Sequence, residues 1–216
     1  MVHFKNPKML ILLIFLFSIS LCGCFEPKMK LVKEFGSEGK ASNEFNGPTD
    51  IAVNSKGEIF ICDTGNNRVV VYNSSYEYIK TMSGGAVSMR GPYGVCVDTA
   101  DNVYVADTEN NRVIKYNPSG NIMLELTSTV KLGQQKDPMN SIKRPYDVAV
   151  LGDSRIFVID SLNRLLVFEP TGVCSNKLGS KGSGSDAFDV PTRLAVSQFT
   201  RSEERRVGKE CRSRWS

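Results

Sequence analysis

DTGNNRVVVYN (63–73) and DTENNRVIKYN (107–117) agree at eight of eleven positions across an offset of forty-four residues. A third, looser copy, DSLNRLLVFEP (160–170), is one residue shorter in its turn. Each copy follows a second motif at a near-constant distance: GPTDIAVNSKGEIFI (47–61), GPYGVCVDTADNVYV (91–105) and RPYDVAVLGDSRIFV (144–158). A fourth opening, VPTRLAV, stands at 190–196. The prolines Pro48, Pro92, Pro145 and Pro191 therefore mark a repeat, spaced 44, 53 and 46 residues apart. Self-similarity at this period signals a solenoid or a propeller.

The contents of one unit decide between the two. The runs 51–53, 58–61, 68–72 and 76–79 are short, β-branched and aromatic, and NSKG, DTGNN and NSS separate them as turn formers. Nothing in the unit has helical periodicity. Four strands in a meander, repeated every ~40–50 residues, make a propeller blade. The expected class is all-β, with antiparallel four-stranded blades.

The combined pattern resembles the NHL repeat: a phenylalanine, then P-x-(D/G)-(I/V)-A-V, an aliphatic strand, and D-T-x-N-N-R. The resemblance covers about 35–196, and the proline, the strand pattern and the D-T-x-N-N-R turn coincide in two copies. It implies blades of a six-bladed propeller. The turn residues Asp63, Asn67 and Arg68, Asp107, Asn111 and Arg112, and Asp160, Asn163 and Arg164 are expected to be scaffold. Short Asp and Asn side chains bond backbone amides in tight turns and tolerate left-handed backbone, and an arginine fork can hold a carboxylate or a carbonyl. The third copy has Ser161 in place of the threonine.

EFGSEGKASNEFNGPTDIAV (34–53) aligns without gaps to KLGSKGSGSDAFDVPTRLAV (177–196). Residues 174–178 are thus expected to be the outer strand of blade three. By the same alignment Leu31–Phe35 is expected to be an outer strand without a blade of its own. Residues 50–178 hold three blades and 191–200 begin a fourth, so the expected architecture is a truncated arc of the ring. Such an arc exposes inter-blade faces and strand edges, which favours aggregation over a stable monomer.

Both ends of the chain read differently from the repeats. Lys5 and Lys8 precede the apolar run MLILLIFLFSISL and then LCGC, which is the layout of a secretory leader. The run is thirteen residues, short of the ~20 a helix needs to span a bilayer. LCGC resembles the bacterial lipobox, which implies cleavage before Cys24 and lipid on its sulfur. Two or more acyl chains make a lasting anchor. The expected location is extracytoplasmic, on a membrane of the bacterial envelope. RSEERRVGKECRSRWS (201–216) holds the single tryptophan, Trp215. It resembles a translated sequencing adapter and is expected to be foreign to the fold. The expected organisation is thus a signal peptide over 1–23, a tether with the first outer strand over 24–34, the incomplete propeller over 35–200, and the tail over 201–216.

The chain carries a net charge of +4, but between 24 and 200 acidic residues outnumber basic ones by one. The basic excess belongs to the ends, and no nucleic-acid partner is expected. The sole histidine is His3, inside the leader, which disfavours histidine-based metal sites or triads in these blades. Cys62 and Cys96 occupy places held elsewhere by alanine or isoleucine, so they read as small core side chains. A bond between them is conceivable from sequence.

If strand a starts at the top, the d–a loops and the DTGNN-type turns share that face. Thr49, Asp50, Tyr93, Tyr146, Asp147, Thr192 and Arg193 then ring the mouth of the central channel. Among these, Asp50, Tyr93, Tyr146, Asp147 and Arg193 are the candidate ligand-binding residues; Asp50 and Asp147 equally suit capping of the strand entry. The longer loop KLGQQKDPMNSIKR (131–144) is a top-face insertion that could reach a partner. With no catalytic constellation in view, a binding scaffold for a protein or small molecule is the first reading. The second is a lyase or lactonase-like hydrolase with residues in further blades; no cofactor is evident, and calcium on carboxylates fits only that second reading.

Overall fold

The computed structural model describes residues 33–127, 141–185 and 187–196. The expected leader, Cys24, residues 131–140 of the long loop and the tail lie outside the described residues. The chain divides into Met1–Glu34, of which only Lys33 and Glu34 are described, and Phe35–Ser216, which holds every described strand.

After a two-strand entry of β1 (Ser37–Glu38) and β2 (Glu44–Phe45), three blades follow. Blade one is β3 (Pro48–Val53), β4 (Ile59–Asp63), β5 (Arg68–Tyr72) and β6 (Tyr78–Met82). Blade two is β7 (Pro92–Val97), β8 (Val103–Asp107), β9 (Arg112–Tyr116) and β10 (Ile122–Leu126). Blade three is β11 (Pro145–Val150), β12 (Ile156–Asp160), β13 (Arg164–Phe168) and β14 (Cys174–Leu178). β1 and β2 pair in parallel, whereas in each blade the strands lie in chain order, all antiparallel. The start of the fourth unit, Pro191–Val196, carries no strand.

The first strand of every blade slips register at the same place, after Pro48, Pro92 and Pro145. Proline has no N–H to give the ladder, so the strand enters through a bulge.

The core lies between blades rather than within one. Phe60, Cys62, Val69 and Val71 of blade one pack with Val95, Val103, Val105 and Ile114 of blade two. Tyr104, Ala106 and Val113 of blade two pack in turn with Val148, Val158, Leu166 and Phe168 of blade three. Strand alternation gives each blade two apolar faces, and only stacking buries both. On the leading face of blade one, Phe35, Phe45 and Tyr76 cover Ile59, Ile61, Val70 and Tyr72.

Three details depart from expectation. The turns after β4 and β8 each contain a single 3-10 turn, Thr64–Asn66 and Thr108–Asn110; three residues are too few to leave a periodic signal. The outer strand of blade one begins at Tyr78 rather than Tyr76. Asn73 Oδ1 accepts the N–H groups of Ser75 and Glu77, and Tyr76 adopts φ 65°, which extends the turn. Of the strand expected over 31–35, Leu31 and Val32 lie outside the described residues and 33–35 carry no strand. A strand is held by a backbone ladder, whereas Phe35 is held through its ring, which packs on Tyr72 and Tyr76.

Candidate functional site

The repeated turn is a polar knot that ties each blade to its own entry loop and to the next blade. Asp63 is fully buried. Its Oδ1 accepts the N–H of Asn46, and its Oδ2 accepts Asn66 Nδ2 and Arg68 Nε, the latter at 2.7 Å. Asp107 repeats this with Arg90 N–H, Asn110 and Arg112. Asp160 is bonded by Arg164 and by the N–H of Lys143 at 3.3 Å. Arg112 also reaches Glu125 at 3.0 Å and the carbonyl of Val87.

Asn67, Asn111 and Asn163 sit in the left-handed region at φ 57°, 55° and 58°. Asparagine tolerates that backbone, and there each Oδ1 accepts the N–H of the residue before the next proline: Gly91, Arg144 and Val190. The threonines make a parallel link. Thr64 and Thr108 donate to the carbonyls of Pro92 and Pro145 in the next blade, at 2.7 and 2.6 Å. Ser161 instead bonds Lys143 O in its own entry loop, so the third copy lacks that cross-blade bond. These contacts put the d–a loops and the DTGNN-type turns on one face.

At the inner rim of that face the two residues after each proline meet. Tyr93 and Tyr146 contact edge to face, with centroids 5.9 Å apart, a favoured geometry for aromatic pairs. Thr49 Oγ1 bonds the carbonyl of Tyr93. Arg193 lies over the Tyr93 ring at 5.7 Å, pairs with Asp50 Oδ1 at 2.9 Å and donates to the carbonyl of Thr49. The start of the fourth unit thereby reaches back to blade one.

The carboxylates serve the backbone. Asp50 Oδ2 accepts the N–H of Val95 in blade two at 2.7 Å, and Asp147 Oδ2 accepts the N–H of Leu194 in the fourth unit at 2.7 Å. Blade two has Gly94 in the corresponding place and can offer no carboxylate to Val148. Asp147 makes up the difference: its Oδ1 turns back and accepts the N–H of Val148 at 2.9 Å. Burial pushes the Asp147 carboxyl above its usual range, with the Asp50 charge adding to the effect, while backbone donors and Arg193 oppose it.

The structure therefore brings Arg193 into direct contact with both Asp50 and Tyr93 and sets Tyr146 against Tyr93. Asp147 joins them through the backbone. The role of Gly94 was not read from the sequence. Its signal was present: Asp50, Gly94, Asp147 and Arg193 fill one repeat position with three different chemistries. Cys62 and Cys96 are free thiols, both raised well above the ordinary thiol range by burial, with Asp50 and Asp147 contributing. Among the described residues no group of three or more His, Cys, Asp or Glu is placed to hold a metal, and no helix is long and apolar enough to cross a membrane.

The NHL repeat family matches residues 45–72 and 89–116, the stretches running from the entry loops of blades one and two to the ends of their third strands. No curated protein matches. Among solved structures, a streptogramin B lyase superposes with a TM-score of 0.50 at 16% identity, over 68% of this chain and 45% of that one. A catalytically inactive virginiamycin B lyase from Staphylococcus aureus, solved with quinupristin, gives 0.51 at 15% identity, over 69% and 45%. Hydrazine synthase from Kuenenia stuttgartiensis gives 0.50 at 15%, over 70% and 39%. This chain spans less than half the length of those proteins, and at such identities the likeness is one of fold. Blades one and two thus match the NHL repeat, and the three described blades form an arc of a β-propeller.

Proposed function

We propose that this chain is a binding module, exported and held at a bacterial membrane by lipid on Cys24, whose ligand meets the inner rim of the loop face. The observation that carries this reading is the division of labour at that rim. Asp50 and Asp147 are committed to backbone N–H groups and to Arg193, which suits positioning rather than proton transfer. Tyr93 and Tyr146, half-buried side by side, offer rings with polar tips, the side chains that favour contact with a small molecule or peptide.

The experiment is a fluorescence-detected screen of small aromatic and peptide ligands against the full chain, repeated with Tyr93→Ala and Tyr146→Ala. Saturable binding lost in both variants supports the module. Binding indifferent to both overturns the rim as its site. Turnover of a bound compound, read by mass spectrometry, would favour the lyase or hydrolase alternative, with calcium addition testing a metal requirement. Membrane attachment is tested separately by Cys24→Ser, which should move the protein from the membrane fraction to the soluble one; retention in the membrane would refute the lipid anchor.

A further inference from the structure

Between blades two and three the loop face carries a groove of about 530 Å3. Arg90 and Glu109 form one bank; Lys143, Arg144 and Leu162 form the other. All five are exposed. Arg90 and Glu109 pair loosely at 3.5 Å, whereas Lys143 and Arg144 make no ion pair among the described residues. Among the described residues the groove thus has three cations against one carboxylate, on a body whose acidic and basic residues nearly balance.

The repeat supplies its own controls. Every junction is built by the same bonds, from the asparagine after the turn to the N–H before the proline. At the first junction the positions of Glu109, Lys143 and Arg144 are taken by Gly65, Arg90 and Gly91; at the third, by Leu162, Asp189 and Val190. The middle junction alone has cations on both banks. The shared scaffold does not require both, because each of the other two junctions closes with a cation on one bank only.

We infer that this groove binds a phosphomonoester-type dianion. A phosphate ester carries about −1.5 to −2 charge near neutral pH, which matches the surplus of two positive charges. Guanidinium forks engage its oxygens in pairs, and an ammonium adds a point charge. A single carboxylate would leave one cation unneutralised. The described lining residues all belong to blades two and three and their entry loops. The groove is separate from the tyrosine rim, and either can fail without the other.

The test is calorimetric titration of the full chain with phenyl phosphate, and with benzoate as the singly charged ring of similar size. The decisive variant is K143N/R144G, which gives the junction the residues Asn46 and Gly47 that precede Pro48 of blade one. Glycine also suits the left-handed backbone at Arg144, φ 44°. Phenyl phosphate should bind one to one, about ten-fold more tightly than benzoate, and weaken about ten-fold in the double variant and on raising salt from about 0.02 to about 0.15 M. Arg90→Gln, on the opposite bank, should also weaken it, and supplies the answer should the double variant fold poorly. No saturable binding to the parent chain, unchanged affinity in the variants, or equal binding of benzoate would overturn the assignment.

Discussion

A Cβ built on Gly94 falls 2.6 Å from Oδ1 of Asp147. The oxygen that would crowd it is the one bonded to the N–H of Val148. Blade two has thus given up its own carboxylate and made room for that of blade three. Gly94 stands where two other blades have charged groups, yet aspartate should not be accepted there. Gly94→Ala is expected to cost about 1–3 kcal/mol of stability, since the new atom also meets the Asp147 Cα and the Tyr146 carbonyl at 2.8 Å. Gly94→Asp should cost more, because it adds a like charge beside Asp147. Chemical denaturation of the three proteins checks both; a stabilised Gly94→Asp would show that the space is not occupied as described.

The same carboxyl sets a pH dependence. Burial, before any other cause, raises Asp147 above the usual carboxylate value. The folded state then holds its proton more tightly than the unfolded chain does. Its contribution to stability is therefore fullest below the ordinary carboxylate range and is lost as pH rises through the raised value. Denaturation of the parent chain and Asp147→Asn from about pH 3 to about pH 7 should show the parent losing ground to the variant as pH rises. An offset that stays flat, or slopes the other way, would refute the direction.

Arg112 is the most enclosed of the knot arginines, its side chain 4% exposed beside a wholly buried Asp107. Arg112→Ala leaves that carboxylate buried and without its cation, a loss of about 3–5 kcal/mol. Arg112→Lys should recover less than half of it. An ammonium cannot serve Asp107, Glu125 and the carbonyl of Val87 together from one planar fork. Full recovery by lysine in equilibrium unfolding would mean that charge alone matters there.

How far this was legible from sequence follows the range of each interaction. The knots were legible because Asp63, Asn67 and Arg68 are neighbours in sequence and recur whole as Asp107, Asn111 and Arg112. The outer strand over 174–178 was legible because two gapless segments aligned across the repeat. Asp50 with Arg193, and Gly94 with Asp147, were grouped or missed for a different reason. They join different repeats, so their pairing depends on which blades adjoin and on which oxygen each N–H finds. Glu125 escaped notice because it sits on an outer strand, where alternation alone gives no cause to link it with Arg112.

Cys62 is wholly buried, and burial raises its thiol well above the ordinary range. A thiol held protonated and covered does not attack alkylating reagents. In the native chain at about pH 7, iodoacetamide should leave Cys62 unmodified, and denaturant should make it fully reactive, as read by mass spectrometry of the peptide. A Cys62–Cys96 disulfide in the non-reduced digest would contradict the free thiols seen here.

Ile51 and Val53 are 60% and 57% exposed, whereas Val95 and Val148, at the place of Ile51 in the next two blades, are 4% and 2%. One strand position thus changes from surface to core depending only on whether a blade lies before it. Burying an aliphatic side chain is worth about 1.5–3 kcal/mol, so this leading face gains by covering itself with any apolar surface. The full chain should associate as its concentration rises, and I51K/V53E should suppress association while leaving the far-ultraviolet dichroism of the blades unchanged. Light scattering across a concentration series reads the first effect. If the parent chain scatters as a monomer throughout, Phe35, Phe45 and Tyr76 shield the face better than these exposures imply. If the double variant loses its β signal, the two side chains support blade one itself rather than its contact with another surface.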